Sequence, residues 1–309
     1  MSRLADLAEE YLALRRSLGH KLEDAARLLP HLVAYLDACG APTVTVATAV
    51  AWACEPDVPA GSTVRARRMT VARGFARYLV GVDRRTEVPP VGLVPHPRRQ
   101  RRLPYIYTPA EIARLMTHAH RQVRSPLRKA TLATLIGLLA ATGMRVGEVI
   151  RLDRCDIDWI AGVITIRATK FNKSRQLPVH ASTMGALDAY ARRRDHEGLR
   201  LVTSAFFVST AGTRLHYSNL QTIFRMLVDA AGVGAESPIT PRIHDLRHSF
   251  AVTTLLSWYR DGDDVTARLP WLATYLGHKD PRSTYWYLTG IPELLTLAAR
   301  RLDNQEVRP

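Results

Sequence analysis

Apolar residues recur at helical spacing through most of the chain and switch to strict alternation in only one stretch. Between 3 and 39, Leu4, Leu7, Tyr11, Leu12 and Leu14 return every few residues. This predicts two helices, parted at Gly19-His20 and closed by Gly40-Ala41-Pro42. A third helix is predicted over about 46–54, and Pro56, Pro59 and Gly61 make the loop after it. A fourth runs over about 62–80, with Val71, Phe75 and Tyr78 on one face and Arg65, Arg68, Arg73 and Arg77 largely elsewhere. From 81 to 104 the periodicity lapses. Pro89, Pro90, Pro95, Pro97 and Pro104 exclude regular structure, and Arg98, Arg99, Arg101 and Arg102 give this segment a strong positive charge.

Helical signals resume at Thr108-Pro109-Ala110-Glu111, which places an N-cap, a first-turn proline and a glutamate three residues after the cap. Helices are expected at 109–121, 126–142 and from about 145. The alternating stretch follows: 156–159 and 163–167 flank an Ala161-Gly162 turn, and 176–179 carries Pro178, which suits an edge strand. Further helices are expected at 182–196, 217–231, 244–259, 265–276, 280–287 and 291–302. The fold class predicted is mainly α in two domains: a four-helix domain at 1–85, a basic linker at 86–103, and a mixed α+β domain at 104–309 with a small three-stranded antiparallel sheet.

Charge narrows the class of partner. The 309 residues carry 43 Lys and Arg against 28 Asp and Glu, a net +15 that points to a polyanion. The excess is spread over both halves, with 16 basic and 10 acidic residues up to position 103 and 27 and 18 beyond it. Only five of the basic residues are lysines: Lys21, Lys129, Lys170, Lys173 and Lys279. The distinction matters because a lysine can surrender its proton and an arginine cannot.

Cys39, Cys54 and Cys155 show no ligand spacing and are read as buried small hydrophobes in a reducing cytoplasm. The longest apolar stretch, 130–144, is too short for a membrane span of about 20 residues. The acidic cluster Asp261-Gly262-Asp263-Asp264 fails the calcium-loop spacing and is read as a polar loop, so no metal site is expected.

Four segments carry groups suited to phosphoryl transfer. Breaking and resealing a DNA strand without an energy cofactor needs a protein nucleophile, fixed donors for the charge on non-bridging oxygens, and a tunable acid for the leaving oxygen. Thr142-Gly143-Met144-Arg145-Val146-Gly147-Glu148 sets an arginine at a helix start. Thr169-Lys170-Phe171-Asn172-Lys173-Ser174-Arg175 is a basic turn between strands. His244-Asp245-Leu246-Arg247 spaces an imidazole and a guanidinium one helical turn apart. Gly277-His278 is followed by Ser283-Thr284-Tyr285-Trp286-Tyr287.

In this order and spacing the four segments resemble the tyrosine recombinase, or phage integrase, family, which includes the Xer-type resolvases. The family pattern is an arginine in T-G-x-R-x-x-E, a lysine in a β-hairpin about 25 residues later, H-x-x-R, G-H, and a tyrosine nine residues past that histidine. The motifs cover 104–302, and 1–85 resembles the family's helical core-binding domain in architecture only. The resemblance implies that Tyr287, rather than Tyr285, attacks the scissile phosphate to form a 3′-phosphotyrosine. It implies that Arg145 and Arg247 clamp the non-bridging oxygens, that Lys170 is the general acid, and that His244 and His278 orient groups or relay protons. The hairpin reads Thr-Lys-Phe-Asn-Lys rather than the commoner Gly-Lys-Gly-Asn-Lys, which leaves Lys173 as an alternative to Lys170.

Glu148 is expected to hold its helix, and Asp245 and His248 to support the site from behind. DNA contacts are expected from Arg65, Arg68, Arg73, Arg77, Arg98, Arg99, Arg101, Arg102, Lys173 and Arg175. The partners implied are double-stranded DNA with a specific core site of inverted repeats, further copies of the chain (a dimer per site and a tetramer in synapsis), and sister recombinases. No cofactor, metal or membrane is implied. The helix at 291–302 would pack on its own domain or, as the resemblance implies, dock on a neighbouring protomer. A non-enzymatic repressor would explain the charge and the helices but not six reactive residues at these spacings, and Tyr287→Phe separates the two.

Overall fold

The computed structural model describes residues 2–60, 62–94, 103–122, 124–167, 174–278 and 284. The chain divides into two compact units, Met1–Arg102 and Leu103–Pro309. The expected linker arginines Arg98, Arg99, Arg101 and Arg102 lie outside the described residues. So do Lys170, Lys173 and Tyr287, and the helices predicted at 280–287 (Thr284 excepted) and 291–302.

The first unit is built from α1 (Arg3–Ser17), α2 (Glu23–Ala38), α3 (Val46–Ala53) and α4 (Thr63–Leu79). Ser2 caps α1 through its side chain, and Thr45 and Thr48 form a reciprocal cap at the start of α3. The apolar faces meet around Leu29, Leu32, Leu36, Trp52, Phe75 and Leu79, all essentially inaccessible to water. Burying each such side chain favours the fold by about 1.5–3 kcal/mol, so this cluster is what holds four short helices together.

The arginines of α4 do not form the free basic face read from the sequence. Arg65 donates to the Val58 carbonyl at 2.6 Å, and Arg73 donates to the carbonyls of Pro89 and Pro90 at 2.7 and 2.8 Å. Arg68 donates to the Trp52 carbonyl at 2.7 Å, pairs with Glu55 and lies over the Trp52 ring. The last turn of α3 and the loops flanking α4 present carbonyls without intrahelical donors, and these guanidinium groups take them. Arg77 is exposed.

The second unit contains α5 (Pro109–Gln122), α6 (Pro126–Thr142), α7 (Val146–Arg151), a 3-10 turn (Arg154–Asp156), β1 (Ile157–Asp158), β2 (Val163–Ile166), β3 (Arg175–Pro178), α8 (Ala181–His196), α9 (Tyr217–Ala230), α10 (Asp245–Arg260) and α11 (Val265–Leu276). The sheet order is β1-β2-β3, antiparallel throughout, with Ile164 opposite both Ile157 and Leu177. Pro178 ends the edge strand β3, where its missing N–H costs nothing. One core gathers α5 to α9 and the sheet, while α10 and α11 add a second cluster around Val252, Leu255, Leu269 and Leu272.

The cysteine reading is corrected. Cys39 and Cys155 are exposed and Cys54 is only partly covered, because each sits at a helix end or in the 3-10 turn rather than on an apolar face. Among the described residues no helix is long and apolar enough to cross a membrane.

Candidate active site

Local sequence sets up the site at two helix ends that stop on glycine. Gly143 closes α6 at φ +60°, and Gly277 closes α11 at φ +68°. Both positions are also crowded. A Cβ on Gly143 would lie 2.6 Å from Phe250, and one on Gly277 would lie 2.7 Å from Nη1 of Arg175. Glycine is needed twice over, for its backbone and for its missing side chain.

The last turn of any helix leaves carbonyls without intrahelical donors. In α11 three consecutive ones are each taken by an arginine from a different element. Arg175 of β3 donates Nε to Tyr275 O at 3.1 Å, Arg247 of α10 donates Nη2 to Leu276 O at 2.7 Å, and Arg145, just before α7, donates Nη2 to Gly277 O at 2.8 Å. Arg247 also donates Nη1 to Gly143 O at 2.7 Å, which ties the ends of α6 and α11 to the first turn of α10. Arg247 is buried, whereas the Arg145 side chain is 36% exposed.

Glu148 joins two of these arginines from beneath. Its side chain is 2% exposed, its Oε1 accepts from Nη1 of Arg145 at 2.8 Å and Nη1 of Arg175 at 3.1 Å, and its Oε2 accepts from Nη2 of Arg175 and the Arg145 backbone N–H, both at 2.9 Å. Burial alone would raise the Glu148 pKa. The hydrogen bonds and charge of Arg175, then the backbone and side-chain hydrogen bonds of Arg145, overcome this and hold it at about 2. Arg175, expected on DNA, is therefore turned inward: its side chain is 14% exposed, and its donors face Glu148 and α11.

His244 stands at the N-terminal edge of α10, its ring 5.1 Å from that of His248 and at right angles to it. Part of His244 reaches solvent, yet surrounding protein strips enough water to lower its pKa. The positive charge of Arg247 lowers it further, against an opposing pull from Asp245. His248 is lowered to about 3, by burial first and then by the charges of His244 and Arg247. Both rings are therefore neutral near pH 7. His278 follows Gly277, and its Nδ1 is 2.7 Å from Oγ1 of the buried Thr284.

Two contributors escaped the sequence reading. Arg242 grips the fully buried Asp245 carboxylate through Nε at 3.1 Å and Nη2 at 2.8 Å, and its backbone N–H adds a third bond at 3.0 Å. The spacing of three at a helix start was the available signal. Thr284, the buried partner of His278, carries no sequence signal beyond its place in the tyrosine segment. Among the described residues no group of three or more His, Cys, Asp or Glu side chains is placed to hold a metal.

The arrangement gathers Arg145, Arg247, His244 and His278 around the ends of α6, α10 and α11. It offers planar, charged donors beside neutral imidazoles, a combination suited to an anion whose charge grows during reaction. Lys170 belongs to the segment between β2 and β3, and Tyr287 to the segment after Thr284.

Known proteins resemble this chain over much of its length. A profile of the phage integrase family matches residues 106–290. An integrase/recombinase of Sinorhizobium fredii is 42% identical, over 99% of this chain and 98% of its own. Tyrosine recombinase XerC of a Roseiflexus species is 32% identical, over 74% of this chain and 68% of its own. Among solved structures, a transposon integrase in complex with transposon right-end DNA matches with a TM-score of 0.62 at 16% identity, over 97% of this chain and 99% of that one. The XerH recombinase bound to its difH substrate, a pre-cleavage complex, matches with a TM-score of 0.58 at 18% identity, over 79% and 67%. At such identities the two structures speak for the fold.

Proposed function

The chain belongs to the phage integrase family of tyrosine recombinases, enzymes of site-specific DNA recombination, and from that premise we propose the chemistry of its site. The phenolic oxygen of Tyr287 attacks the scissile phosphorus, the bond to the 5′ oxygen breaks, and a 3′-phosphotyrosine forms. Lys170 delivers the proton that the leaving 5′ oxygen requires, with Lys173 as its alternative. Attack by a 5′ hydroxyl on the phosphotyrosine reverses the step and reseals a strand. One phosphate ester replaces another, so no energy cofactor is consumed.

The supporting observation is that Arg145 and Arg247, from separate elements, donate to the adjacent carbonyls of Gly277 and Leu276. Two guanidinium groups are thereby held side by side where one phosphate would meet both. Arg145 spends two donors on Glu148 and Gly277, out of the five a guanidinium carries, and keeps an exposed edge for the non-bridging oxygens. The lowered pKa of His244 keeps it neutral, able to donate one hydrogen bond while accepting another.

The wider reading follows the same premise. The substrate is double-stranded DNA with a core site of inverted repeats. One dimer occupies a site and two sites meet in a tetramer, in which each protomer, a copy of this chain or a sister recombinase, supplies its own tyrosine. The 1–85 domain and the 86–103 linker contribute contacts to the duplex, with Arg77 meeting phosphate. The protein works in the cytoplasm on integration, transposition or resolution of DNA elements.

The test is covalent capture. Duplexes randomised around a central nick are incubated with the protein, denatured, and searched for protein-linked DNA. The wild type is expected to yield an adduct enriched in one core sequence. Tyr287→Phe should keep gel-shift binding to that sequence and lose the adduct. An adduct that persists without the Tyr287 hydroxyl would overturn the assignment, and so would a wild type that never becomes linked to any duplex.

A further inference from the structure

Resting on the recombinase reading above, we propose that Arg175 is a positioning residue for strand cleavage, acting as counter-ion of the buried Glu148 so that Arg145 keeps its positive charge for the phosphate. The carboxylate of Glu148 sits between two guanidinium groups that are unequal partners. Arg175 grips it through two nitrogens, at 3.1 and 2.9 Å, and is 14% exposed; Arg145 reaches it through one nitrogen, at 2.8 Å, and is 36% exposed. The inner arginine is the bidentate one, and bidentate pairing is the stronger arrangement.

Charge counting gives the consequence. Arg145 and Glu148 alone would form a neutral pair, and the outer guanidinium would present little net charge to an anion. With Arg175 added the group carries one positive charge, and Arg247 beside it adds another. In a partly dry site each unit of charge bears directly on a transition state that accumulates negative charge.

Arg175 is also placed to act through geometry. Its Nε bonds Tyr275 O at 3.1 Å, so one side chain joins β3 to the end of α11. The hairpin segment that carries Lys170 leads into β3, and α11 leads to His278. Gly277 makes room for the guanidinium by having no Cβ. A lysine would keep the charge, but its single ammonium cannot span both carboxylate oxygens and a carbonyl.

The experiment measures single-turnover adduct formation on the duplex captured by the wild type, alongside gel-shift affinity and thermal unfolding. Arg175→Met is expected to slow adduct formation by about 100-fold, the scale seen when one transition-state donor is lost, with little change in DNA affinity. Adding Glu148→Gln to Arg175→Met should recover at least about tenfold of that loss, because it removes the carboxylate that now neutralises Arg145. A role confined to packing the hairpin predicts no such recovery. If Arg175→Met does not fold, Arg175→Gln carries the test: it keeps a polar donor without the charge, and should bind DNA normally and cleave measurably more slowly. Wild-type rates in Arg175→Met or Arg175→Gln overturn the proposal, as does a double variant no faster than Arg175→Met. A wild type that forms no adduct overturns the recombinase reading instead, so the two failures are told apart.

Discussion

Gly277 and Arg175 are matched by what one lacks and the other fills: a Cβ on Gly277 would lie 2.7 Å from Nη1 and 2.9 Å from Cζ of Arg175. The positive φ of Gly277 adds a backbone penalty of about 1–2 kcal/mol for any L side chain. Gly277→Ala should therefore displace Arg175 and imitate its loss. We expect denaturant unfolding to show a destabilisation on the order of 2 kcal/mol and cleavage to fall with it. An alanine variant with unchanged stability and cleavage would show that the close approach has no consequence.

Arg247 is buried and bonded to Gly143 O and Leu276 O. Arg247→Ala would leave both carbonyls without these donors, at a cost of about 1–3 kcal/mol each. Arg247→Lys should fail nearly as badly, since a compact ammonium lacks the planar fork that reaches two separated carbonyls and a phosphate at once. Thermal unfolding and adduct formation check both. A lysine variant that cleaves like the wild type would contradict the clamp.

Stability should fall in acid over two windows. The folded-state pKa of Glu148 lies at about 2, below its usual 4.5. Its contribution is therefore full above 4.5 and lost as pH drops from 4.5 towards 2, worth on the order of 3 kcal/mol. His248 is lowered to about 3 from 6.5, so the unfolded chain binds that proton more readily and stability also declines as pH falls below 6.5. Chemical denaturation across pH should show both limbs, with Glu148→Gln flattening the lower and His248→Asn the upper. Variant curves parallel to the wild type would refute the assignment.

In the first unit, Arg68 and Arg77 should behave as opposites. Arg68 lies over Trp52 and bonds its carbonyl, so Arg68→Ala should lower stability by about 1–3 kcal/mol. Arg77 is exposed, so Arg77→Ala should leave unfolding unchanged while reducing the salt slope of DNA binding by about one. Unfolding curves and salt titrations separate the two, and a reversal of the pattern would refute it.

Most elements were legible because local signals agreed. Thr108 to Glu111 announced α5, Gly143 and Gly277 stopped α6 and α11, and β-branched alternation at 163–166 marked β2. The segment after α8 was not legible. Phe206 and Phe207 are wholly buried there, and Ala205 and Val208 form isolated bridges to Asp153 and Arg214, pairings that no local period announces. The site divides in the same way. Arg145, His244, Arg247 and His278 were named through the family resemblance that their motifs carry, but Arg175 and Glu148 lie 27 positions apart, and their partnership exists only once β3 lies beside α7. A turn rich in basic residues therefore read as a nucleic-acid contact where the fold uses one of them as an internal brace.

The three arginines lodged on Tyr275, Leu276 and Gly277 set a boundary for anyone who shortens or fuses this chain. A cut before Tyr275 removes the acceptors for side chains rooted in three other places, so the damage would spread far upstream of the break. Reporter domains or affinity handles belong beyond that junction, and split-protein designs that separate α11 from α7 and α10 would have to bring the halves together before either could hold an anion.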